Sequence, residues 1–547
     1  MTLHERATAA ARAGRFARAA QLCDAGLNTR PEPDLAAALR LLRAEASIQL
    51  GAWAHAERHL RRAIEEEILP RAEATHAHEL LAACLVRRRS GAEAVSAIEA
   101  ALAGGADSGA AWTTYAEALS AGGRHREAEG AARAALARQP SPAARSTLVR
   151  VLAAGGEHEQ VIHFVEGELP THPNDVGLWA ALGFAQNALG RATAAAASLR
   201  QALALDPSRG DAACNLGMVL LRAGELADGF RFNEHRQKDA GNCWRFGVPP
   251  WRGEPLSNAH LMVLSEQGLG DTIQFARFVP LACAAAARVT FVVPPPLVRL
   301  FRSNPALGDV RSDHPGFRTA DFQTLVMSLP HLLGPGSGYA TTALPSVRAE
   351  PDRVQRWRAA LPAGARVAIA WQGNPSYAGE PRRSMPFQCF GPLFERAGEH
   401  VSWLSLQKNF GHEQLAAAPH AKRVLDLGGQ IDVGVDAFVD SLAVLSLADL
   451  FVTTDTALAH LAGSAGVATW VLLAQGADWR WGVQTGTTEW YPTVRLFRQT
   501  TSGDWGGVIQ RVGDELAARD AYQSARQSGS KSIAACAMPP QVVGTRA

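Results

Sequence analysis

Lysine is almost missing from this chain: only Lys238, Lys408, Lys422 and Lys531 contribute to the 54 basic residues. Arginine carries nearly all the positive charge, so one arginine by itself is weak evidence of a site. A charge excess is also missing. The formal net charge is +2, which excludes a general attraction to nucleic acid or membrane surfaces. The seven cysteines are scattered, odd in number and never spaced as CxxC, which argues against a disulfide framework or a structural zinc site. No run of about 18 apolar residues occurs; the longest candidate, around Leu450 to Leu473, is broken by Asp455 and His460. The first residues lack the apolar stretch of a signal peptide. The expectation is a soluble cytoplasmic protein.

What is present is a globular composition, with 47% hydrophobic and 19% charged residues over 547 positions, too long for one core. The first half repeats. In a 34-residue window opening at Val176, Trp179, Leu182, Gly183, Ala195, Leu199, Ala202 and Pro207 occupy the positions of the tetratricopeptide pattern. Small residues let two helices approach, large ones fill the seam, and proline ends the second helix. Trp112, Tyr115, Ala116, Ala128, Ala135 and Pro140 fill the same slots, as do Leu148, Leu152, Val161, Val165 and Pro173. Weaker copies open near Ala37 and Thr75, a partial one includes Ala19, Gly26 and Pro31, and a last one Leu216 and Gly217. About seven units over residues 1–240 are expected. Their concave surface suits an extended peptide or partner protein, the alternative being a structural spacer. The histidine pairs His55/His59 and His76/His78 read more simply as solvated helix faces than as metal ligands.

Composition changes after Lys238. A Gly-, Pro- and Trp-rich linker (241–257) precedes short apolar strands separated by helices. Strands are expected at His260–Ser265, Val289–Val293, Val367–Trp371, Val401–Leu406, Leu450–Thr454 and Thr469–Leu473. Helices are expected at 271–287, 387–397, 436–446 and 456–463. A Pro/Gly-rich stretch near 334–364 divides these into two Rossmann-like lobes, 258–348 and 349–519, with a ligand cleft between them at the strand C-termini. The fold class is thus an all-α solenoid followed by α/β. Residues 520–547, rich in Ser, Ala, Gly and Gln, read as a disordered tail.

Three segments could carry chemistry. In EQGLGDTIQF, Gly268 and Gly270 make a tight turn into a helix whose amides can hold a phosphate or sugar hydroxyl. Asp271 is either the helix N-cap or a general base facing the cleft, and spacing alone favours the cap. The absence of GxGxxG excludes a dinucleotide fingerprint. In TTDTALAHLAG, Asp455 and Thr456 open a helix after a strand, where a diphosphate can be stabilised; His460 lies further along it. An ordinary capped helix explains the same shape. WQGNP ends a strand with a turn at Gly373, Asn374 and Pro375, and the nearby Arg382 and Arg383 could clamp phosphates or be merely solvated. Lys408 is notable because lysine is so scarce. Trp479, Trp481, Trp490 and Tyr491 could wall a base or sugar, or simply pack.

Together SEQGLGDTIQFARFVP, AWQGNP, RRSMP and TTDTALAHLAGSAG followed by DWRW and WYP resemble the bacterial heptosyltransferase-like glycosyltransferases, in particular those preceded by tetratricopeptide repeats. The resemblance implies a GT-B fold and inverting transfer from a nucleotide-sugar co-substrate without metal or other cofactor. It implies Asp271 as base, and Arg383, Asp455, Thr456 and His460 as donor contacts; Gly268, Gly270, Gly373, Asn374 and Lys408 are expected on the same donor from their places in the turns and at the strand end. Arg383 stands where the family has lysine, and Ala457 where it has glycine. A repeat array ahead of such a domain also resembles protein O-GlcNAc transferases, which implies a protein acceptor. Two other readings remain: a scaffold with a degenerate transferase domain, and a lipopolysaccharide-type glycosyltransferase.

Overall fold

The computed structural model describes residues 1–239, 247–312, 320–334, 346–375, 383–483 and 486–527. The chain forms two compact units, Met1–Arg209 and Gly210–Ala547.

The first unit consists of helical hairpins. Twelve helices from Leu3–Arg12 to Ala192–Leu205 pair successively into six. The alanine-rich positions are the seam: Ala44, Ala56, Ala82, Ala94, Ala116, Ala128 and Ala195 are fully buried. At Gly183 an added Cβ would stand 2.5 Å from Leu199 Cγ, so this position admits no side chain without moving the partner helix. A turn signal unread in the sequence recurs two residues before each second helix. There the backbone is left-handed at Gly14, Gly51, Gly123, Gly156 and Gly190, and Arg89 takes that place in one repeat. Glycine adopts this conformation at little cost, arginine does not.

The second unit opens with a seventh hairpin, Gly210–Ala223 and Leu226–Asn233, and a short helix Arg236–Asp239. The expected domain boundary at residue 240 therefore lies inside this unit; the division falls after Arg209. Leu221 and Phe230 of the hairpin belong to the α/β core, not to the repeat core. Phe230 stands edge-on to Phe275, Trp479 and Trp490, with ring centroids about 6 Å apart.

Two parallel sheets complete the unit. The first contains β1 (His260–Leu264), β2 (Arg288–Val293), β3 (Asp309–Ser312) and β4 (Phe322–Leu325), in the order β3-β2-β1-β4. The second contains β5 (Ala365–Ala370), β6 (Val401–Ser405), β7 (Val424–Asp426), β8 (Leu450–Thr454), β9 (Thr469–Leu473) and β10 (Val494–Arg498), in the order β10-β9-β8-β5-β6-β7. This is the doubly wound order in which the chain reverses direction beside the first strand, and such sheets bind ligands at that reversal. The reversals lie between β1 and β4 and between β5 and β8. The architecture is a tetratricopeptide-type solenoid followed by an α/β domain of GT-B type.

Several expected elements have different bounds. The helix expected over 271–287 begins at Leu269 and is broken into Leu269–Phe275, a 3-10 turn Ala276–Phe278 and Val279–Ala285; Pro280, lacking an N–H, cannot continue a helix from the preceding turn. The helix expected from 436 begins at Val439 because Phe438 is left-handed, with φ 68°. Part of the stretch near 334–364 is helical, Pro351–Ala360; residues 335–345 lie outside the described residues. The tail expected from 520 begins as helix, since Trp505–Gln527 is continuous, and residues 528–547 are outside the described residues. In the linker, residues 240–246 are likewise outside. The rest docks: Pro250 bridges to Gln323 of β4, and the Trp251 N–H donates to the Gln323 carbonyl at 2.7 Å.

Candidate active site

The site grows from the ends of β1 and β8. Gly268 caps Leu269–Phe275, and Thr456 caps Ala457–Ala465. These helices come from different lobes and meet. A Cβ at Gly270 would stand 3.2 Å from His460 Cδ2 and 3.3 Å from Ala457 Cα, so the two helix N-termini come together closely at this glycine.

Asp271 is the third residue of its helix, not the N-cap. Its Oδ2 accepts the Gly268 N–H at 2.9 Å, and its Oδ1 accepts from the Arg480 guanidinium. Arg480 also donates from Nε to Gln274 Oε1 at 2.6 Å and from NH1 to Asp478 Oδ1 at 2.8 Å, and lies over the Trp479 ring at 4.6 Å. Sequence reasoning missed Arg480, Asp478 and Gln274. The signal for Arg480 was DWRW itself, in which composition hid one arginine among many.

The second helix brings Asp455 and His460, both buried. Asp455 is not the cap, so a simple capping role does not account for it. Burial raises its carboxyl to about 6, aided by Asp478 and opposed by the Trp481 N–H, Arg383 and Arg480. Burial pulls the His460 imidazole down to about 3, helped by Arg480 and opposed by Asp478. Hence His460 is neutral near pH 7. Its Nδ1 lies 2.9 Å from the Tyr491 hydroxyl, and its ring stacks on Trp481 at 5.2 Å. Burial would raise Asp478, but Arg480 outweighs it and the net shift is downward. Burial would lower Arg480, but Asp478 and Asp271 outweigh it and its pKa rises. The result is a cluster of three carboxylates, Asp455 buried and Asp271 and Asp478 half-buried, around one buried guanidinium and one neutral, buried imidazole.

The remaining candidates divide. The positive charge of Arg383 acts weakly on Asp455 and His460, opposing the rise of the first and adding to the fall of the second; Arg382 lies outside the described residues. Gly373 is tied to the same loop, its N–H donating to Ser384 Oγ at 3.2 Å, and Asn374 comes next, exposed. Lys408 is occupied elsewhere, with Nζ donating to the Ile431 and Asp432 carbonyls at 2.6 Å each; it pins a loop of the second lobe. Trp479 and Trp490 pack on Phe230, whereas Trp481 and Tyr491 face His460. A cavity of about 560 Å³ lies beside Val298, Arg302 and Asp436, and none of the candidate residues lines it. Among the described residues no cluster of three or more His, Cys, Asp or Glu is placed to hold a metal ion, and no helix is long and apolar enough to cross a membrane.

No family model matches the chain. A curated relative, protein FlbA of Caulobacter vibrioides, is 28% identical over 327 residues, covering 54% of this chain; the chain spans about half of that relative, 53%. Among solved structures, a tetratricopeptide repeat protein from Parabacteroides merdae is 14% identical with a TM-score of 0.39, covering 44% of this chain and 93% of its own. The ADP-heptose lipopolysaccharide heptosyltransferase II of E. coli is 13% identical with a TM-score of 0.38, covering 49% of this chain and 100% of its own.

Proposed function

We propose that the α/β domain transfers a glycosyl group from a nucleotide-sugar donor to a hydroxyl of a protein held by the repeats, without a metal. The observation that carries this reading is the convergence of two helix N-termini beside Asp271, Asp455, His460 and Arg480 at the ends of β1 and β8. Helix N-termini and guanidinium groups stabilise the charge of a departing diphosphate, the role a metal would otherwise fill. In the transfer, Asp271 takes the acceptor hydroxyl's proton while that oxygen bonds to the anomeric carbon. The bond from that carbon to the diphosphate oxygen breaks, and the diphosphate leaves toward Arg383 and the amides after Thr456. The repeats supply the acceptor at high local concentration, and the reaction takes place in the cytoplasm.

The test is hydrolysis or transfer of nucleotide sugars by the whole chain and by Asp271→Asn. Asparagine can still accept the Gly268 N–H, so the fold should persist while turnover falls about 100-fold or more, the scale of a general base. Equal turnover would remove Asp271 from the chemistry. One observation favours a second reading, a non-catalytic binding module: both Asp271 oxygens are already engaged, and Gly270 is pressed on Ala457. That reading predicts donor binding with no turnover in the native chain.

A further inference from the structure

The seventh hairpin does more than pack. Arg236, just beyond it, reaches into the first lobe and grips Glu266, the residue that begins the EQGLGD turn. Its Nε donates to Glu266 Oε2 at 2.9 Å and its NH2 to Oε1 at 2.7 Å. The pair is nearly shut off from water, the Arg236 side chain 7% and the Glu266 side chain 12% exposed. Arg236 is held in turn by the Asn233 carbonyl at 3.1 Å, Glu234 Oε1 at 2.7 Å and Ser328 Oγ at 2.9 Å. Glu266 Oε1 also accepts the Met327 N–H at 3.1 Å, from the end of β4. A carboxylate bound by a planar two-pronged donor has its position and orientation fixed together.

The turn after Glu266 needs such fixing. Gln267 is left-handed, with φ 56°, a conformation that a side-chain-bearing residue keeps only when its surroundings impose it. Gly268 and the helix carrying Asp271 come next. We infer that Arg236 is a positioning residue: by holding Glu266 it sets the turn through Gln267 and Gly268, and so the place of Asp271. This rests on the assignment of Asp271 to the chemistry.

The experiment compares the whole chain with Arg236→Met, Arg236→Lys and the double variant Arg236→Met/Glu266→Gln. Two readouts are taken well below each protein's unfolding temperature: amide exchange by segment, and turnover of a nucleotide sugar. Arg236→Met should speed exchange at 266–271 at least 10-fold, leaving β8, β9 and helix Gly210–Ala223 unchanged. Its kcat should fall at least 10-fold with the donor KM within about twofold. Lysine, which keeps the charge but not the two-pronged geometry, should recover part of both. The double variant should recover stability but not kcat. Unchanged exchange at 266–271, or the same rise everywhere, overturns the inference, as does native kcat in a folded Arg236→Met protein. If the native chain neither binds nor turns over any nucleotide sugar, the proposed function fails, and the exchange result still decides whether Arg236 sets the turn. If Arg236→Met does not fold, Arg236→Lys carries both readouts.

Discussion

The sixth and seventh hairpins use one geometry for different ends. Both close on a glycine: Gly183 against Leu199, and Gly217, where an added Cβ would lie 2.7 Å from the Asn233 nitrogen. The sixth buries Leu178, Leu182 and Ala185 in the repeat core, and the seventh buries Leu221 and Phe230 in the α/β core. Arg222 adds a hydrogen bond to the Ala477 carbonyl at 3.0 Å, next to the Asp478–Trp481 turn. Repeat register thus reports how a hairpin folds, but not which core it completes.

The sharpest way to break this comparison is truncation. Residues 210–547 should give a soluble, cooperatively unfolding domain. Starting instead at residue 241 removes Phe230 and Arg236 together, and should give an aggregated or uncooperative protein by calorimetry. A well-folded 241–547 fragment would show the seventh hairpin to be dispensable. Next in size is Phe230→Ala, expected to destabilise 210–547 by about 3–5 kcal/mol, against about 2–5 kcal/mol for Leu199→Ala in the fragment 1–209. Denaturant melts of the separate fragments check both.

A smaller effect sharpens the picture of the buried site. His460 has a folded pKa below its unfolded value, so its share of stability is complete above about 6.5 and is lost as pH falls toward about 3. Asp455 has a folded pKa raised to about 6, so its share moves the other way, with stability gained as pH falls from about 6 toward the ordinary carboxylate range. Melting temperatures between pH 7.5 and 4.5 should therefore drop more steeply in Asp455→Asn than in the native 210–547 domain, and less steeply in His460→Gln. Parallel profiles for all three would remove the electrostatic account. Smallest is Arg89→Gly, which relieves a left-handed arginine and should stabilise the repeat unit by up to about 1 kcal/mol.

Much of the fold could be read in the sequence because its signals are local. The strands at Leu450–Thr454 and Thr469–Leu473 lie where their apolar runs placed them. The strands Asp309–Ser312, Phe322–Leu325, Val424–Asp426 and Val494–Arg498 went unread. Three are very short, and the fourth carries arginine at Arg495 and Arg498, which masks its apolar residues. Asp271, Asp455 and His460, which the structure brings together, could be singled out in the sequence because each stands in a local motif. Arg480 and Arg236 could not, since each acquires meaning only from carboxylates distant in the sequence, in a chain where arginine is commonplace. Lys408 drew notice for its rarity, and the structure engages it with two backbone carbonyls.

Equilibrium binding of a panel of nucleotide sugars to the 210–547 domain tests the central claim most directly, measured with and without EDTA on native protein and on Asp455→Ala and Arg383→Ala. The account predicts that at least one donor binds, that EDTA changes nothing, and that each substitution weakens binding more than tenfold, as loss of a charge-assisted contact of roughly 1.5–3 kcal/mol requires. A domain that binds no nucleotide sugar, or binds one equally well without Asp455 and Arg383, would contradict it.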